Sequence, residues 1–183
     1  MTKKLAASIL CLALAFSLAG CGIFRGAAPE KTPAAPDDFS LRFSWWYDGT
    51  QKNILDTQTG SLQKDLASDG TASAELRPEP DFLQRLYELV CKYRLTDIDR
   101  EMTSQELADD KSKAVSMIPL EHYEISVTMN GRSLLIRGDQ TAVYHMTSDE
   151  DAADFINAVT SFKKAVTELP EWTALPPANG GYD

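Results

Sequence analysis

From residue 39 onward, two apolar rhythms divide the chain, one repeating every second residue and one every three to four. Phe39, Leu41, Phe43 and Trp45 alternate with Ser40, Arg42 and Ser44. That is the pattern of a strand with one face buried. Asp48-Gly49 follows as a turn signal, and Thr59-Gly60 and Asp69-Gly70 punctuate what comes next. Short strands are therefore predicted near residues 53–57, 62–66 and 71–76. Further on, Tyr123, Ile125, Val127 and Met129 alternate with polar residues up to Asn130-Gly131. This dipeptide favours a type I′ hairpin turn, because both residues tolerate positive φ. A two-residue turn there pairs Val127 with Leu134 and Ile125 with Ile136 on one face. It pairs Glu124 with Arg137 and Thr128 with Ser133 on the other, a self-consistent register. A shorter strand is expected over residues 142–146.

The longer rhythm marks two helices. After Pro80, Asp81 offers a carboxylate to the free N–H groups of a helix reaching about Arg94, with Phe82, Leu83, Leu86, Leu89, Val90 and Tyr93 on one face. Ser148-Asp149-Glu150-Asp151 fits a capping box, and Phe155, Ile156, Val159, Phe162, Val166 and Leu169 line the helix that follows until Pro170. Residues 96–117 are irregular and read as a long loop, with one helical turn capped at Thr103. The order of elements predicts an α+β fold. An antiparallel sheet of about six or seven short strands carries two main amphipathic helices on one face, and the polar second face of the hairpin suggests that the other side is uncovered.

The first 38 residues follow neither rhythm. Lys3 and Lys4 precede an apolar run from Leu5 to Leu18, then Ala19, Gly20 and Cys21. A basic start, a short apolar core and small residues at its end describe a secretory signal, too short to span a bilayer as a helix. Leu18-Ala19-Gly20-Cys21 resembles the bacterial lipobox. The resemblance implies cleavage before Cys21, a diacylglyceryl group on its sulfur, and anchoring of an exported protein to the outer face of a bacterial membrane, since two buried acyl chains hold firmly. Residues 22–38, rich in alanine, proline and charge, read as a tether. Extended like polyproline II at about 3.1 Å per residue, it would reach on the order of 50 Å. The expected layout is a signal over 1–20, lipidated cysteine and tether over 21–38, one domain over 39–169, and a flexible tail over 170–183 in which Trp172 could dock. Cys11 would leave with the signal and Cys21 would be acylated, so Cys91 stands alone and no disulfide is expected. At the edge of its helix's apolar face, it reads as a small packed hydrophobe rather than a nucleophile.

Charge narrows the functional classes. The 183-residue chain is formally −9. Without Lys3 and Lys4 it has 16 basic against 27 acidic side chains, or −11. That balance opposes binding to nucleic acid. The motifs that could carry chemistry are incomplete. Asp97-Ile98-Asp99 begins like a calcium loop but has Met102 where glycine and Ala108 where glutamate are needed. Ser61 and Ser161 each begin an S-x-x-K without the partner motifs. His122 and Glu124 share a strand face, too few ligands for a metal site. No catalytic residues, metal or cofactor are expected. Trp45 and Trp46 must point to opposite faces of their strand. One should join Phe43 in the core, and the other, near Leu135 on the open face, is a candidate surface for a protein or glycan partner.

The layout of strands, helix, hairpin and closing helix, together with the lipobox, resembles a broad group of uncharacterised small bacterial lipoproteins. That resemblance implies an α+β envelope domain and no particular activity. The sequence-level expectation is a non-catalytic binding or assembly module of the cell envelope. The alternatives are a tethered hydrolase acting on envelope material and a small-ligand sensor.

Overall fold

The computed structural model describes residues 32–49 and 51–182. The signal segment, Cys21 and the first part of the tether lie outside these residues. Six strands form one sheet: β1 (Ser40–Trp46), β2 (Asn53–Asp56), β3 (Ser61–Asp65), β4 (Thr71–Glu75), β5 (His122–Met129) and β6 (Arg132–Asp139). Their order is β4-β3-β2-β1-β5-β6, and every neighbouring pair is antiparallel. Four consecutive strands are joined by connections of six, four and five residues, each containing one of the glycine dipeptides. The chain then crosses the sheet through α1 (Pro80–Lys92) and the short α2 (Ser104–Leu107) before β5 pairs with β1. The fold is α+β, with α3 (Glu150–Thr167) and the short α4 (Pro170–Thr173) completing the helical layer.

Period-two alternation decides which side the helices cover. Leu41, Phe43, Trp45, Leu55, Leu62, Ile125, Val127 and Ile136 are buried on one face, against Leu86 and Val90 of α1 and Phe155, Val159, Phe162 and Val166 of α3. Phe43 meets Phe162 with ring centroids 5.6 Å apart, and stacks on Trp45 at 5.0 Å. Each such ring removed from water contributes roughly 1.5–3 kcal/mol. The β5–β6 turn has φ of 52° at Asn130 and 70° at Gly131. All four residue pairs expected of that hairpin are present.

Several local expectations are corrected. Residues 142–146 are not a strand. Asp139 ends β6, accepts the Thr141 N–H at 2.8 Å, and starts a 3-10 helix over Gln140–His145. A carboxylate that caps a turn competes with ladder formation. Helix α1 starts one residue earlier than expected, with Pro80 in its first turn and no side-chain cap from Asp81. Proline suits that place because its missing N–H would find no partner there. The cap of α3 is Asp149, whose carboxylate accepts the Ala152 N–H at 3.0 Å, while Ser148 turns back to the His145 carbonyl. Arg100 lies 2.7 Å from the Asp149 carboxylate, a charge-assisted contact that a serine could not make.

Both ends of the domain are tied down further than composition suggested. At the front, the Ala35 N–H donates to Gln84 Oε1 at 2.8 Å, and Gln84 Nε2 donates to the Pro33 carbonyl at 3.2 Å. Asp38 accepts the N–H groups of Asn130 and Gly131 at 2.8 and 2.6 Å, clasping the hairpin tip. Residues 32–38 therefore lie along the domain rather than extending as tether. At the back, the expected flexible tail is anchored. Trp172 is buried, 5.4 Å from Trp45. Asn179 bridges to Ala67, and Tyr182 stacks on Tyr47 at 5.0 Å with its hydroxyl on the Asp65 carboxylate.

Candidate binding face

The face opposite the helices carries Arg42, Ser44 and Trp46 from β1, Ile54 and Asp56 from β2, and His122, Glu124 and Ser126 from β5. Leu135 and Arg137 extend it onto β6. Among the described residues no helix covers it. Of the adjacent tryptophans, Trp45 is the one in the core, and Trp46 is half-buried on this open face. Trp46 is held from both flanking strands. The His122 ring stacks on it at 5.4 Å with 22° between planes, and Lys52 Nζ sits 3.7 Å from its centroid. His122 Nε2 in turn lies 2.9 Å from Asp48 Oδ1. This contact, joined by the Leu120 N–H at 3.2 Å, holds the Asp48 carboxyl below its ordinary value.

A chain of charges runs beside it. Arg42 lies 3.6 Å from both Asp56 and Glu124, and Arg137 lies 3.2 Å from Glu124. Exposed pairs of this kind add little to stability. Their effect is to fix the direction of two guanidinium groups on an otherwise acidic protein. Beneath them Ser44 is fully buried, and its hydroxyl has no hydrogen-bond partner among the described residues. Leu135 is 46% exposed. The expected neighbourhood of Leu135 and the second tryptophan is corrected by the register. Trp46 lies across from His122 and Asp139, whereas Leu135 lies across from Ser126 and Arg42. Four residues of strand, about 13 Å, separate the two rows. They share a face but not a patch.

Two groupings that the sequence did not reveal lie elsewhere. Glu121, 5% exposed, bonds Lys163 Nζ at 2.6 Å and accepts the Tyr123 hydroxyl at 2.6 Å. Burial, then the Glu121 contact and charge, push the Tyr123 hydroxyl well above its usual range. Ser104 Oγ lies 3.1 Å from His145 Nε2, an arrangement that in an accessible site would suggest nucleophilic catalysis. Here Ser104 is fully buried, and its oxygen accepts the Val115 N–H at 2.8 Å. The pair fastens the 104–115 loop. Both groupings join residues some forty positions apart, and no local spacing announces them.

The remaining candidates fall into place singly. Cys91 is exposed on α1, not packed as expected, because it faces away from the sheet. Ser161 in α3 bonds the Tyr93 hydroxyl at 3.0 Å, and Ser61 bonds Thr59 at 2.9 Å. Met102, in place of a loop glycine, is buried and bridges to Gly138. Among the described residues no three of His, Cys, Asp and Glu converge as metal ligands, and no helix is long and apolar enough to cross a membrane. No protein-family model matches this chain, and no curated protein matches it.

Proposed function

We propose that this chain is an exported, lipid-anchored bacterial envelope protein, attached through Cys21, whose domain is a non-catalytic binding or assembly module. The uncovered sheet face carries this reading. It combines a tryptophan held by His122 and Lys52 with oriented arginines, residue types enriched where proteins recognise partners, and an exposed Leu135 beside the arginines. The basic, apolar and small-residue sequence ending at Cys21 supports the anchoring. With residues 32–38 laid along the domain, residues 22–31 are the most that is left to act as tether, about 30 Å if extended. The tether joins the domain at the Ser40 end of β1. Trp46, six residues on, lies roughly 20 Å along the strand from that end.

Anchoring is tested by metabolic labelling with palmitate. Label on the wild-type chain, its loss in Cys21→Ser and release of that variant from membranes are expected. A wild-type chain with a free thiol at its mature N-terminus refutes the anchoring. Binding is tested separately by placing a photo-cross-linker at Leu135 and at Arg137 on intact cells. A discrete adduct, weakened by Arg42→Glu, supports the open face. An adduct pattern equal to that from an exposed control site on α1 refutes it. The Ser104–His145 contact does not favour the hydrolase alternative, because the Ser104 hydroxyl is buried.

A further inference from the structure

We propose that the free edge of β6, with the groove beside it, is a strand-addition site for an extended peptide that alternates acidic and apolar side chains. This site borders the open face and shares Leu135 and Arg137 with it, but it is engaged through the outward backbone of β6 and does not depend on the lipid anchor. The Met129–Arg132 pair closes a two-residue turn, so Arg132, Leu134, Ile136 and Gly138 direct their backbone groups at β5. Ser133, Leu135 and Arg137 direct theirs outward. One end of this edge is already taken. Met102 runs parallel beside Gly138, its N–H donating to the Arg137 carbonyl at 2.8 Å and its carbonyl accepting the Asp139 N–H at 3.0 Å. The chain thus begins strand addition on its own edge and then turns away. Among the described residues, the N–H and C=O of Ser133 and of Leu135, and the N–H of Arg137, have no backbone partner.

Beside that opening lies a cavity of about 450 Å³, lined by Val127, Met129, Leu134, Thr96 and Arg132. Val127 and Leu134 belong to the helix-side face of the sheet, where Val127 is a buried core residue forming the cavity floor and Leu134 is only partly buried. A paired backbone plus a pocket for alternate side chains is how sheets recognise extended peptides. The charge selects the occupant. Arg132 lines the cavity and forms no ion pair among the described residues, whereas Arg137 lies on the other face and is paired with Glu124, on a chain of formal charge −9. A second copy would set two cationic edges together. In an alternating peptide the acids meet Arg132 on the cavity side, and the apolar side chains fall beside the exposed Leu135 on the other face.

The test uses the full chain and amide hydrogen exchange read by NMR, with a blocked heptapeptide of alternating glutamate and valine as probe. Its lysine-for-glutamate counterpart is the control. The acidic peptide should slow exchange at Ser133, Leu135 and Arg137 and leave the β4 edge unchanged. Arg132→Glu should weaken binding about tenfold, the order expected for one lost charge contact. Ser133→Pro, which removes an outward N–H and no ladder bond, should abolish the protection. If that variant fails to fold, Arg132→Glu carries the test. No protection at millimolar peptide, equal binding of the lysine peptide, or protection that grows with protein concentration alone would each overturn the proposal.

Discussion

Gly138 is the most sensitive single position in the sheet. A Cβ built there would lie 2.5 Å from the Met102 carbonyl oxygen, 2.6 Å from Phe155 Cε1 and 2.7 Å from Met102 Cβ. Backbone closes one side and a core ring the other, so Gly138→Ala must displace the Met102 segment or repack α3. Forcing one methyl into such a site costs about 1–3 kcal/mol. Losing the two Met102 backbone bonds adds roughly 0.5–1.5 kcal/mol each. Alanine recovers about 0.4–1 kcal/mol through the unfolded chain. The net loss is about 1–5.5 kcal/mol, with its centre near 3 and a fall in Tm on the order of 10 °C for a domain of this size. Urea and thermal melts read it, with exchange at the Asp139 amide reporting whether the Met102 bridge has opened. Gly131→Ala is the control, because nothing lies within 4 Å of its Cβ and only its φ of 70° resists. That change should cost only about 1–2 kcal/mol. A loss below about 1 kcal/mol at Gly138, with Asp139 still protected, would refute the steric argument.

Other outcomes follow from the same packing. Tyr123 has a folded-state pKa raised by burial, so its neutral form stabilises the fold below the unfolded tyrosine value near 10, and that contribution is lost as pH climbs further. Tyr182 shares the sign, with its hydroxyl pushed up to about 12. Phenolate absorbance during alkaline titration should therefore rise last, together with unfolding. Tyr123→Phe, which removes the titrating hydroxyl, should flatten the stability loss above pH 10. Ser44→Ala removes a buried hydroxyl without a partner and should raise stability by about 1 kcal/mol in urea melts; a loss would mean that the hydroxyl is satisfied. Phe162→Ala should cost about 3–5 kcal/mol and broaden the near-ultraviolet signal of Trp45. Trp172→Ala should expose the tail to proteolysis after residue 173 while leaving the sheet's amide protection intact.

The sheet was legible where pattern and turn chemistry agreed. Asn130-Gly131 fixed the hairpin register to the residue, and Phe39–Trp45 alternation placed the core face. Legibility failed where one side chain diverted the backbone. Asp139 turned residues 140–145 into a 3-10 helix although Ala142 and Val143 suggested a strand. It failed again at the tail, since burial of Trp172 depends on Trp45, 127 positions away. The division of Trp45 and Trp46 between faces was readable from period two. Trp45 is the inward one because it is in phase with Leu41 and Phe43, on the face that α3 covers. The clamp of Lys52 and His122 on Trp46, and the free stretch of β6, come from strand order, and nothing short of pairing β5 with β1 could supply them.

The chain enters the sheet through its middle. Strand β1 lies between β2 and β5, and residues 32–38 feed it directly. Any pull delivered along the leader therefore runs parallel to a central strand and shears both flanking ladders at once, rather than peeling an outer strand one bond at a time. The Asp38 clasp and the Gln84 contacts take up load before β1 does. A partner gripping the far end of the domain would draw on the mechanically stiffest path through the molecule.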